Sequence, residues 1–362
     1  MKFKYVIVGA GLAGVTFAER IANVLGKDVL IVEQRNHIGG NVYDEYNDDG
    51  ILIHKYGPHI FHTKFEEVWD YLSTFTQWRL YHHKVLAYVD GRKVPMPINL
   101  DTINSLFGFS YTSESLKDFF KNVKENIETP SNAKESVTSK VGVQLYEKFF
   151  KNYTIKQWNT DPENLDPSIT ARIPIRLNRD PRYFNDRFQG MPKKGYTKMV
   201  QNMINSDKIH ILLNTDFFDV KDELQYEHLI YTGPLDRLYN YEFGKLPYRS
   251  LNFVFETLET EFYQEVGTVN YPNDYKFTRI TEFKHLTGQK SNKTTIMKEF
   301  PASNGDPYYP ILNEENKKLA HKYIQKANKE GVILAGRLAT YSYLNMDLVV
   351  KQALDLFDEN FK

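Results

Sequence analysis

The stretch Tyr5-Val6-Ile7-Val8-Gly9-Ala10-Gly11-Leu12-Ala13-Gly14 decides the predicted fold of this chain. Its first four residues form a short apolar run of the kind found in buried parallel strands, and a helical pattern follows the glycines to about Leu25. A second apolar run, Val29-Leu30-Ile31-Val32, ends on Glu33. Strand, glycine turn, helix, strand and acid together give the context that makes a glycine motif a dinucleotide-binding fingerprint.

Each position of the fingerprint has a physical role. Gly9 allows the tight turn, Gly11 lets the backbone approach a pyrophosphate, and Gly14 lets the helix and strand pack closely. The N-terminus of the helix supplies unpaired N–H groups for the phosphates. Glu33 follows Gly14 by nineteen residues, where an acid accepts hydrogen bonds from ribose hydroxyls. A glycine-rich turn without a ligand is the alternative, but it leaves the agreement of these features unexplained.

A second glycine pair, Gly39-Gly40, lies just past the acid and is followed by Asn41. A nicotinamide dinucleotide does not require this pair. The pair resembles the extended motif of glutathione-reductase-type flavoproteins, where it lies near the cofactor's ribityl and pyrophosphate portion. This resemblance implies FAD as the dinucleotide.

The composition restricts the possible classes of function. The chain has 362 residues, of which 41% are hydrophobic, and its 46 basic and 46 acidic residues balance. A zero net charge argues against nucleic acid or an anionic membrane as the main partner. The lack of cysteine excludes disulfides, a thiol nucleophile and thiolate metal sites, and we predict no metal. Neither a membrane span nor a signal peptide is indicated, so we expect a cytoplasmic protein.

The order of apolar patterns predicts an α/β protein with a Rossmann-type (glutathione-reductase-like) FAD domain, an inserted helical bundle and an antiparallel β-sheet domain. The FAD domain is expected to be discontinuous. We predict the following division: residues 1–78, 192–235 and 315–362 for the FAD domain, 98–165 for the helical insert, and 79–97, 166–191 and 236–314 for the substrate domain with a mobile arginine loop.

Residues 148–158 carry an aromatic stripe with polar tips. On a helix, Phe150, Tyr153, Thr154 and Trp158 share one face at i, i+3, i+4 and i+8. Such a stripe is usually core. However, the two hydroxyls and the indole N–H each need a partner, and this combination suits a flat heterocycle such as uracil.

Residues 170–184 hold four arginines on a segment broken by proline. Guanidinium groups bind phosphate in a bidentate manner, so the cluster suits a diphosphate, although a solvated charged loop would look the same. Arg279 lies within a strand pattern, where an arginine is more often exposed or paired than functional. Between the last strand and the last helix, residues 336–347 place a helix N-terminus where it would favour negative charge on a bound cofactor.

These stretches resemble bacterial UDP-galactopyranose mutases along nearly the whole chain. The blocks that carry the resemblance are Gly57–Thr63, Lys148–Trp158, Thr170–Phe184, Phe277–Glu282, Pro307–Pro310 and Gly336–Met346. The resemblance implies reversible conversion of UDP-galactopyranose to UDP-galactofuranose without net redox change, with N5 of reduced FAD as the nucleophile. It also implies a homodimer.

The resemblance implies three groups of site residues. The implied catalytic residues are Arg172, Arg279 and His59. The implied cofactor residues are Gly9, Gly11, Leu12, Ala13, Gly14, Glu33, Gln34, Gly40, Asn41, His59, Ile60, Phe217, Gly336, Arg337, Asn345 and Met346. The implied substrate residues are His83, Phe149, Phe150, Tyr153, Thr154, Trp158, Arg172, Tyr183, Asn270, Arg279, Tyr308 and Tyr343.

Two positions depart from the family pattern. Asn345 stands where many members have Asp, and His83 stands where some have Asn. Three alternatives stay open: a UDP-N-acetylgalactosamine mutase, which would share nearly every motif; a flavin-dependent oxidoreductase of the amine oxidase type, which would not need the arginine loop; and a nucleotide-binding protein without catalysis.

Overall fold

The computed structural model describes residues 1–171 and 174–362. A five-stranded parallel sheet forms the framework. Its strands are β1 (Tyr5–Val8), β2 (Val29–Val32), β10 (Ile209–Leu212), β11 (His228–Tyr231) and β17 (Ile333–Leu334), in the order β10-β2-β1-β11-β17. The central strand β1 pairs with β2 and β11 on either side. The sheet therefore draws on three separated parts of the sequence, and the exact domain boundaries remain a proposal.

A second sheet has seven strands. They are β7 (Val85–Val89), β8 (Arg92–Met96), β12 (Tyr248–Leu258), β13 (Thr268–Asn270), β14 (Arg279–Glu282), β15 (Thr294–Ala302) and β16 (Tyr309–Pro310), in the order β16-β12-β15-β14-β13-β7-β8. The predicted strands between about residues 245 and 300 pair antiparallel as expected, whereas β13 runs parallel to β7 from an earlier part of the chain. These strands are far apart in the sequence, and strand patterns do not reveal the direction of such pairings.

Two small antiparallel sheets complete the strands. They consist of β3 (Asp44–Tyr46) with β4 (Leu52–His54), and of β5 (Phe61–Thr63), β6 (Trp78–Leu80) and β9 (Phe188–Pro192). In the second of these, β9 lies between β5 and β6 and joins the segment after the arginine loop to the N-terminal part of the chain.

Thirteen α-helical segments connect the strands within the described residues. They are α1 (Leu12–Asn23), α2 (Glu66–Ser73), α3 (Leu100–Phe107), α4 (Ser113–Val123), α5 (Ala133–Tyr146), α6 (Asn152–Trp158), α7 (Ser168–Ala171), α8 (Tyr196–Met203), α9 (Phe217–Val220), α10 (Phe283–Thr287), α11 (Glu314–Lys329), α12 (Gly336–Ala339) and α13 (Met346–Phe361). None of them is long and apolar enough to cross a membrane.

The helical stretch from α5 to α6 departs from regular α-helical geometry at two places. Gly142 has φ +80° and ψ 171°, which is not helical, and residues Glu147–Lys151 form a π-helical turn between α5 and α6. A Cβ at position 142 would overlap the carbonyl oxygen of Val123, so only glycine fits the kink. The periodic apolar pattern carries no sign of either irregularity.

The largest core lies between the parallel sheet and the helices that cover it. Helices α1 and α13 pack against each other over this face, where Phe17, Ile21, Val350 and Phe357 are fully buried. The apolar, uninterrupted β1 is buried because helices and loops cover both faces of a parallel sheet. This packing fixes the glycine turn and the start of α13 at the same edge of the sheet.

Candidate active site

Two cavities adjoin each other, the first at the carboxyl end of the parallel sheet and the second against the seven-stranded sheet. The first has a volume of about 830 Å³ and the second of about 460 Å³. Both are lined by Asn41, His59, Tyr308, Arg337 and Met346. Ligands in the two cavities would therefore meet at these five residues.

The first cavity is bordered by most of the predicted cofactor residues. These are Gly9, Gly11, Leu12, Ala13, Glu33, Gln34, Gly40, Asn41, His59, Phe217, Gly336, Arg337 and Met346. Two others, Ile60 and Asn345, border the second cavity. Gly14 borders neither cavity, because it lies in the packing beneath the turn.

A side chain at Gly9, Gly14 or Gly40 would clash with neighbouring atoms. Gly9 has φ +103°, and a Cβ there would overlap Thr232 Oγ1. A Cβ at Gly14 would overlap the carbonyl oxygen of Gly9. Gly40 has φ +54° and a Cβ there would lie 2.8 Å from Gly11 Cα. The glycine turn and the Gly39-Gly40 pair thus pack against each other. This contact explains why the pair lies so soon after Glu33 in the sequence.

The Glu33 carboxylate is buried and organises the turn. Its Oε2 accepts a hydrogen bond from the Ala10 N–H at 2.7 Å, and its Oε1 accepts one from the Arg35 N–H at 2.8 Å. Each carboxylate oxygen can accept a second hydrogen bond, so ribose hydroxyls could still bind there. Glu33 therefore joins the glycine turn to the segment that follows β2, around the position predicted for the cofactor.

Two residues at the same end of the cavity, Asp216 and Arg237, were not predicted. Arg237 Nη1 donates to Gln34 Oε1 at 3.0 Å, and its Nη2 donates to Asp216. The guanidinium also lies 5.1 Å from the centre of the Phe218 ring. These residues are far apart in the sequence and belong to no motif, so no local signal could have found them.

His59 stands where the two cavities meet. Its Nδ1 lies 2.8 Å from the Gly57 carbonyl oxygen, and its backbone N–H donates to His54 Nδ1 at 3.0 Å. A carbonyl oxygen only accepts, so Nδ1 carries the proton and Nε2 is an acceptor. Burial lowers the pKa of His59 to about 3, and His54 and Arg337 add to this effect. His59 is therefore neutral at physiological pH.

The segment before α13 is braced by Arg337. Its Nε and Nη2 donate to the Leu344 carbonyl oxygen at 3.0 and 2.6 Å, and its Nη1 donates to the Tyr308 carbonyl oxygen at 3.2 Å. The same guanidinium lies about 5 Å from the ring centres of Tyr309 and Tyr343. Arg337 thus holds the aromatic residues of the second cavity beside the helix that borders the first.

The second cavity is bordered by most of the predicted substrate residues. These are His83, Phe150, Tyr153, Thr154, Trp158, Tyr183, Asn270, Arg279, Tyr308 and Tyr343. Phe149 does not border it and packs within the core of the helical insert. Adjacent residues on a helix point about 100° apart, which explains why Phe150 reaches the cavity wall and Phe149 does not. Arg172 lies outside the described residues.

Arg279 and Glu299 form an ion pair at the wall of this cavity, with Arg279 Nη2 3.1 Å from Glu299 Oε1. Glu299 was not predicted, because a glutamate in a strand pattern carries no sign of the residue opposite it. Within residues 1–171 and 174–362, the buried Nε of Arg279 has no hydrogen-bond partner. The rest of the guanidinium is partly exposed at the cavity, where the side chain as a whole is 25% accessible.

The described arginines of the loop are engaged with the protein itself. Arg176 donates to the carbonyl oxygens of residues 180, 182 and 184, Arg179 pairs with Asp101, and Arg182 pairs with Asp180. None of these three arginines borders the second cavity, so a diphosphate site that uses the whole cluster stays a prediction. Arg172 remains the candidate that the resemblance implies.

Comparisons with known proteins agree with this geometry. Residues 148–343 match the model of the UDP-galactopyranose mutase family, and residues 7–75 match the NAD(P)-binding Rossmann-like domain. A probable UDP-galactopyranose mutase of Klebsiella pneumoniae is 40% identical over 98% of this chain and 93% of its own length.

The chain belongs to the UDP-galactopyranose mutase family.

Other relatives show the range of this family. A dTDP-fucopyranose mutase of Escherichia coli is 37% identical over 97% of both chains. A crystal structure of reduced UDP-galactopyranose mutase superimposes with a TM-score of 0.82 at 18% identity, covering 99% of this chain and 94% of that one. The last comparison confirms the predicted fold class. Family membership favours a mutase over the amine oxidase alternative.

The family blocks also contain cavity residues that sequence reasoning did not assign. Gln157 lies in the aromatic helix, is nearly buried, and has a side-chain oxygen without a hydrogen-bond partner among the described residues. His62 Nδ1 lies 2.5 Å from Asp186 Oδ2. The His62 ring stacks on the Phe184 ring, with 3.6 Å between the ring centres. Tyr309 stacks on Tyr343 with 5.6 Å between ring centres. All of these residues line the second cavity.

Proposed function

We propose that the protein is a flavin-dependent UDP-galactopyranose mutase that converts UDP-galactopyranose and UDP-galactofuranose into each other without net oxidation. The observation that carries the proposal is the contact between the two cavities. The first begins at the dinucleotide fingerprint, and the second contains Arg279 and the aromatic stripe. A cofactor and a nucleotide sugar bound there would meet beside His59.

The first cavity fits FAD. Gly9, Gly11 and Gly40 leave the backbone open along the turn, and Glu33 borders the cavity where it would accept hydrogen bonds from a ribose. At the opposite end, α13 begins at Met346, and its cap residue Asn345 makes no side-chain capping bond. When bound and reduced, FAD supplies an electron-rich ring nitrogen that can bond to the anomeric carbon of the sugar.

Arg279 would bind the diphosphate of the nucleotide sugar and stabilise its charge when the bond to the sugar breaks. Its side chain borders the cavity and is 25% exposed. Tyr183, Tyr308 and Tyr343 surround the same space and carry hydroxyls that could donate to phosphate oxygens. We expect Arg172 to join them from the loop.

The remaining residues would orient the two ligands. Phe150, Tyr153, Thr154 and Trp158 offer aromatic faces and polar groups for the uridine. The N-terminus of α13 favours negative charge on a group bound next to it. His59 is neutral and presents a lone pair at Nε2, so it would accept a hydrogen bond where the two ligands meet.

The proposal is tested by purifying the protein, recording its flavin absorbance and assaying it before and after reduction with dithionite. Chromatography of a reaction with UDP-galactofuranose should show UDP-galactopyranose only when the flavin is reduced. A colourless protein, or equal activity in both flavin states, would contradict the proposal. Gel filtration of the same sample tests the predicted homodimer.

The dTDP-fucopyranose mutase relative makes a deoxythymidine nucleotide sugar the second candidate substrate, since its identity to this chain is only 3 percentage points lower, 37% against 40%. UDP-N-acetylgalactosamine is a third. Specificity constants for the three pyranose substrates under identical reducing conditions decide among them. A larger kcat/KM for the thymidine sugar would replace our proposal.

A further inference from the structure

A tyrosine outside both cavities contacts one of the histidines that line the second. Tyr81 Oη lies 3.1 Å from His83 Nδ1. His83 is 4% exposed and borders the cavity, whereas Tyr81 does not border it. Gly267 lies against this pair, and a side chain there would clash with it. A Cβ at position 267 would lie 2.7 Å from Tyr81 Oη and 3.5 Å from His83 Cε1.

The hydrogen bond has one satisfactory direction. Among residues 1–171 and 174–362, the Tyr81 hydroxyl has no acceptor other than His83 Nδ1. The Tyr81–His83 pair is partly buried, and a hydroxyl in such a place that does not donate loses a hydrogen bond it would make in water. Donation by Tyr81 requires a bare Nδ1, so the proton of the neutral imidazole lies on Nε2. Burial, together with the nearby Arg279, lowers the pKa of His83 to about 3 and keeps the ring neutral.

His59 and His83 therefore have opposite polarity. The Gly57 carbonyl makes His59 Nε2 an acceptor, whereas the Tyr81 hydroxyl makes His83 Nε2 a donor. His83 also lies next to the residues expected to bind phosphate. Its ring is 5.9 Å from that of Tyr183, and its carbonyl oxygen accepts the Tyr183 N–H at 2.7 Å.

We propose that Tyr81 is a positioning residue that fixes His83 as a neutral N–H donor to an oxygen at the diphosphate end of the nucleotide sugar. The choice of ligand atom rests on the proposed function. A phosphate oxygen next to Arg279 only accepts, so it matches an N–H donor and would not match a lone pair. The hydrogen bond between Tyr81 and His83 does not depend on that choice.

The tautomer is tested first, by NMR of the complete protein labelled with ¹⁵N-histidine. The His83 resonances are identified by their absence in His83→Asn. We expect a protonated Nε2 and a bare Nδ1 in the wild type, and a loss of this preference in Tyr81→Phe. A protonated Nδ1 in the wild type would overturn the proposal whether or not the protein is a mutase.

Calorimetric titration with UDP and with uridine tests the ligand contact. Tyr81→Phe should weaken UDP binding by about three- to tenfold, the range of one neutral hydrogen bond, and should leave uridine binding unchanged. Asparagine has a fixed N–H donor, so Tyr81→Phe should change UDP binding less than about twofold in the His83→Asn background. Tyr46→Phe, at an exposed tyrosine, is the matched control.

The outcomes separate the two hypotheses. Equal effects of Tyr81→Phe in the wild-type and His83→Asn backgrounds would overturn the role of Tyr81 as a positioning residue. A wild-type protein that binds no UDP would contradict the proposed function, while the NMR spectra still decide the tautomer.

Discussion

Arg279 and Glu299 stand directly opposite each other on β14 and β15 and form an ion pair of 3.1 Å. The Glu299 side chain is 2% exposed, whereas that of Arg279 is 25% exposed toward the cavity. Burial lowers the pKa of Arg279, but the Glu299 carboxylate, together with the neighbouring tyrosines Tyr153, Tyr309 and Tyr183, outweighs this effect and raises it. The cation is thus held in place before any substrate binds, which is the preorganisation that stabilises a departing anion.

Arg279→Ala should lower kcat/KM by at least about tenfold, because each charge-assisted hydrogen bond contributes roughly 1.5–3 kcal/mol. The flavin content should not change, since Arg279 borders only the second cavity. Steady-state kinetics with UDP-galactofuranose and the flavin absorbance measure both. Arg172→Ala is expected to behave alike. Arg179→Ala, at an exposed arginine paired with Asp101, is the control, and full activity of both site variants would refute the diphosphate assignment.

Arg176→Ala should raise the KM for the nucleotide sugar severalfold without removing the flavin. Arg176 is 8% exposed and donates to the main-chain oxygens of residues 180, 182 and 184 and to the Asn185 side chain. These bonds hold Tyr183 and Phe184 at the cavity wall. Arg176→Lys keeps the charge but loses the planar fork and should give an intermediate KM.

Thermal stability and proteolysis of Arg176→Ala test whether Arg176 acts on the fold and not on substrate binding. An unchanged KM together with a lower melting temperature would show that the hydrogen bonds of Arg176 stabilise the fold but do not affect substrate binding. Limited proteolysis of the loop, with Arg179→Ala again as the control, shows whether the substitution loosens residues 176–185.

Glu33→Gln should weaken FAD binding by about tenfold or more. The amide can accept one hydrogen bond through its oxygen, but its NH₂ group faces either the Ala10 N–H or the Arg35 N–H, and two donors repel. Flavin retention during dialysis and the affinity of the apoprotein for FAD measure the effect. Glu227→Gln, at an exposed glutamate paired with Lys4, should retain wild-type affinity.

The parts of the site that could be predicted from the sequence depend on local backbone requirements. Gly9, Gly14 and Glu33 lie within one strand–turn–helix–strand unit, so their spacing alone indicates their contacts. Arg237 and Glu299 acquire meaning only from partners that the fold brings to them. No periodicity encodes such pairings.

The helix from residue 141 onward shows a second limit. The face shared by Phe150, Tyr153 and Trp158 was predicted on the assumption of regular helical geometry, and these residues do line one cavity. However, the π-turn at Glu147–Lys151 and the kink at Gly142 interrupt that geometry. Both depend on packing against other segments, for example the Val123 carbonyl. A pattern of apolar residues cannot report that contact.

Three buried histidines should make the folded protein less stable in acid. Burial lowers the pKa of His54, His59 and His83 to about 3 each, against an ordinary value near 6.5. Above pH 6.5 these residues are neutral in both the folded and the unfolded chain and do not make stability depend on pH. Below pH 6.5 these histidines bind protons in the unfolded chain but stay neutral in the folded chain. Stability therefore falls from about pH 6.5 toward pH 3.

Each of these histidines should contribute a slope of up to about 1.4 kcal/mol per pH unit to the free energy of unfolding. His54→Asn removes one titrating group and keeps an acceptor near Nδ1 for the His59 N–H. Urea unfolding at pH 7 and pH 5 should therefore show a shallower pH dependence in His54→Asn than in the wild type. His321→Asn, at an exposed histidine, should leave the dependence unchanged. Identical slopes in the His54 variant and the wild type would mean that His54 takes up a proton in the folded protein as readily as in the unfolded chain.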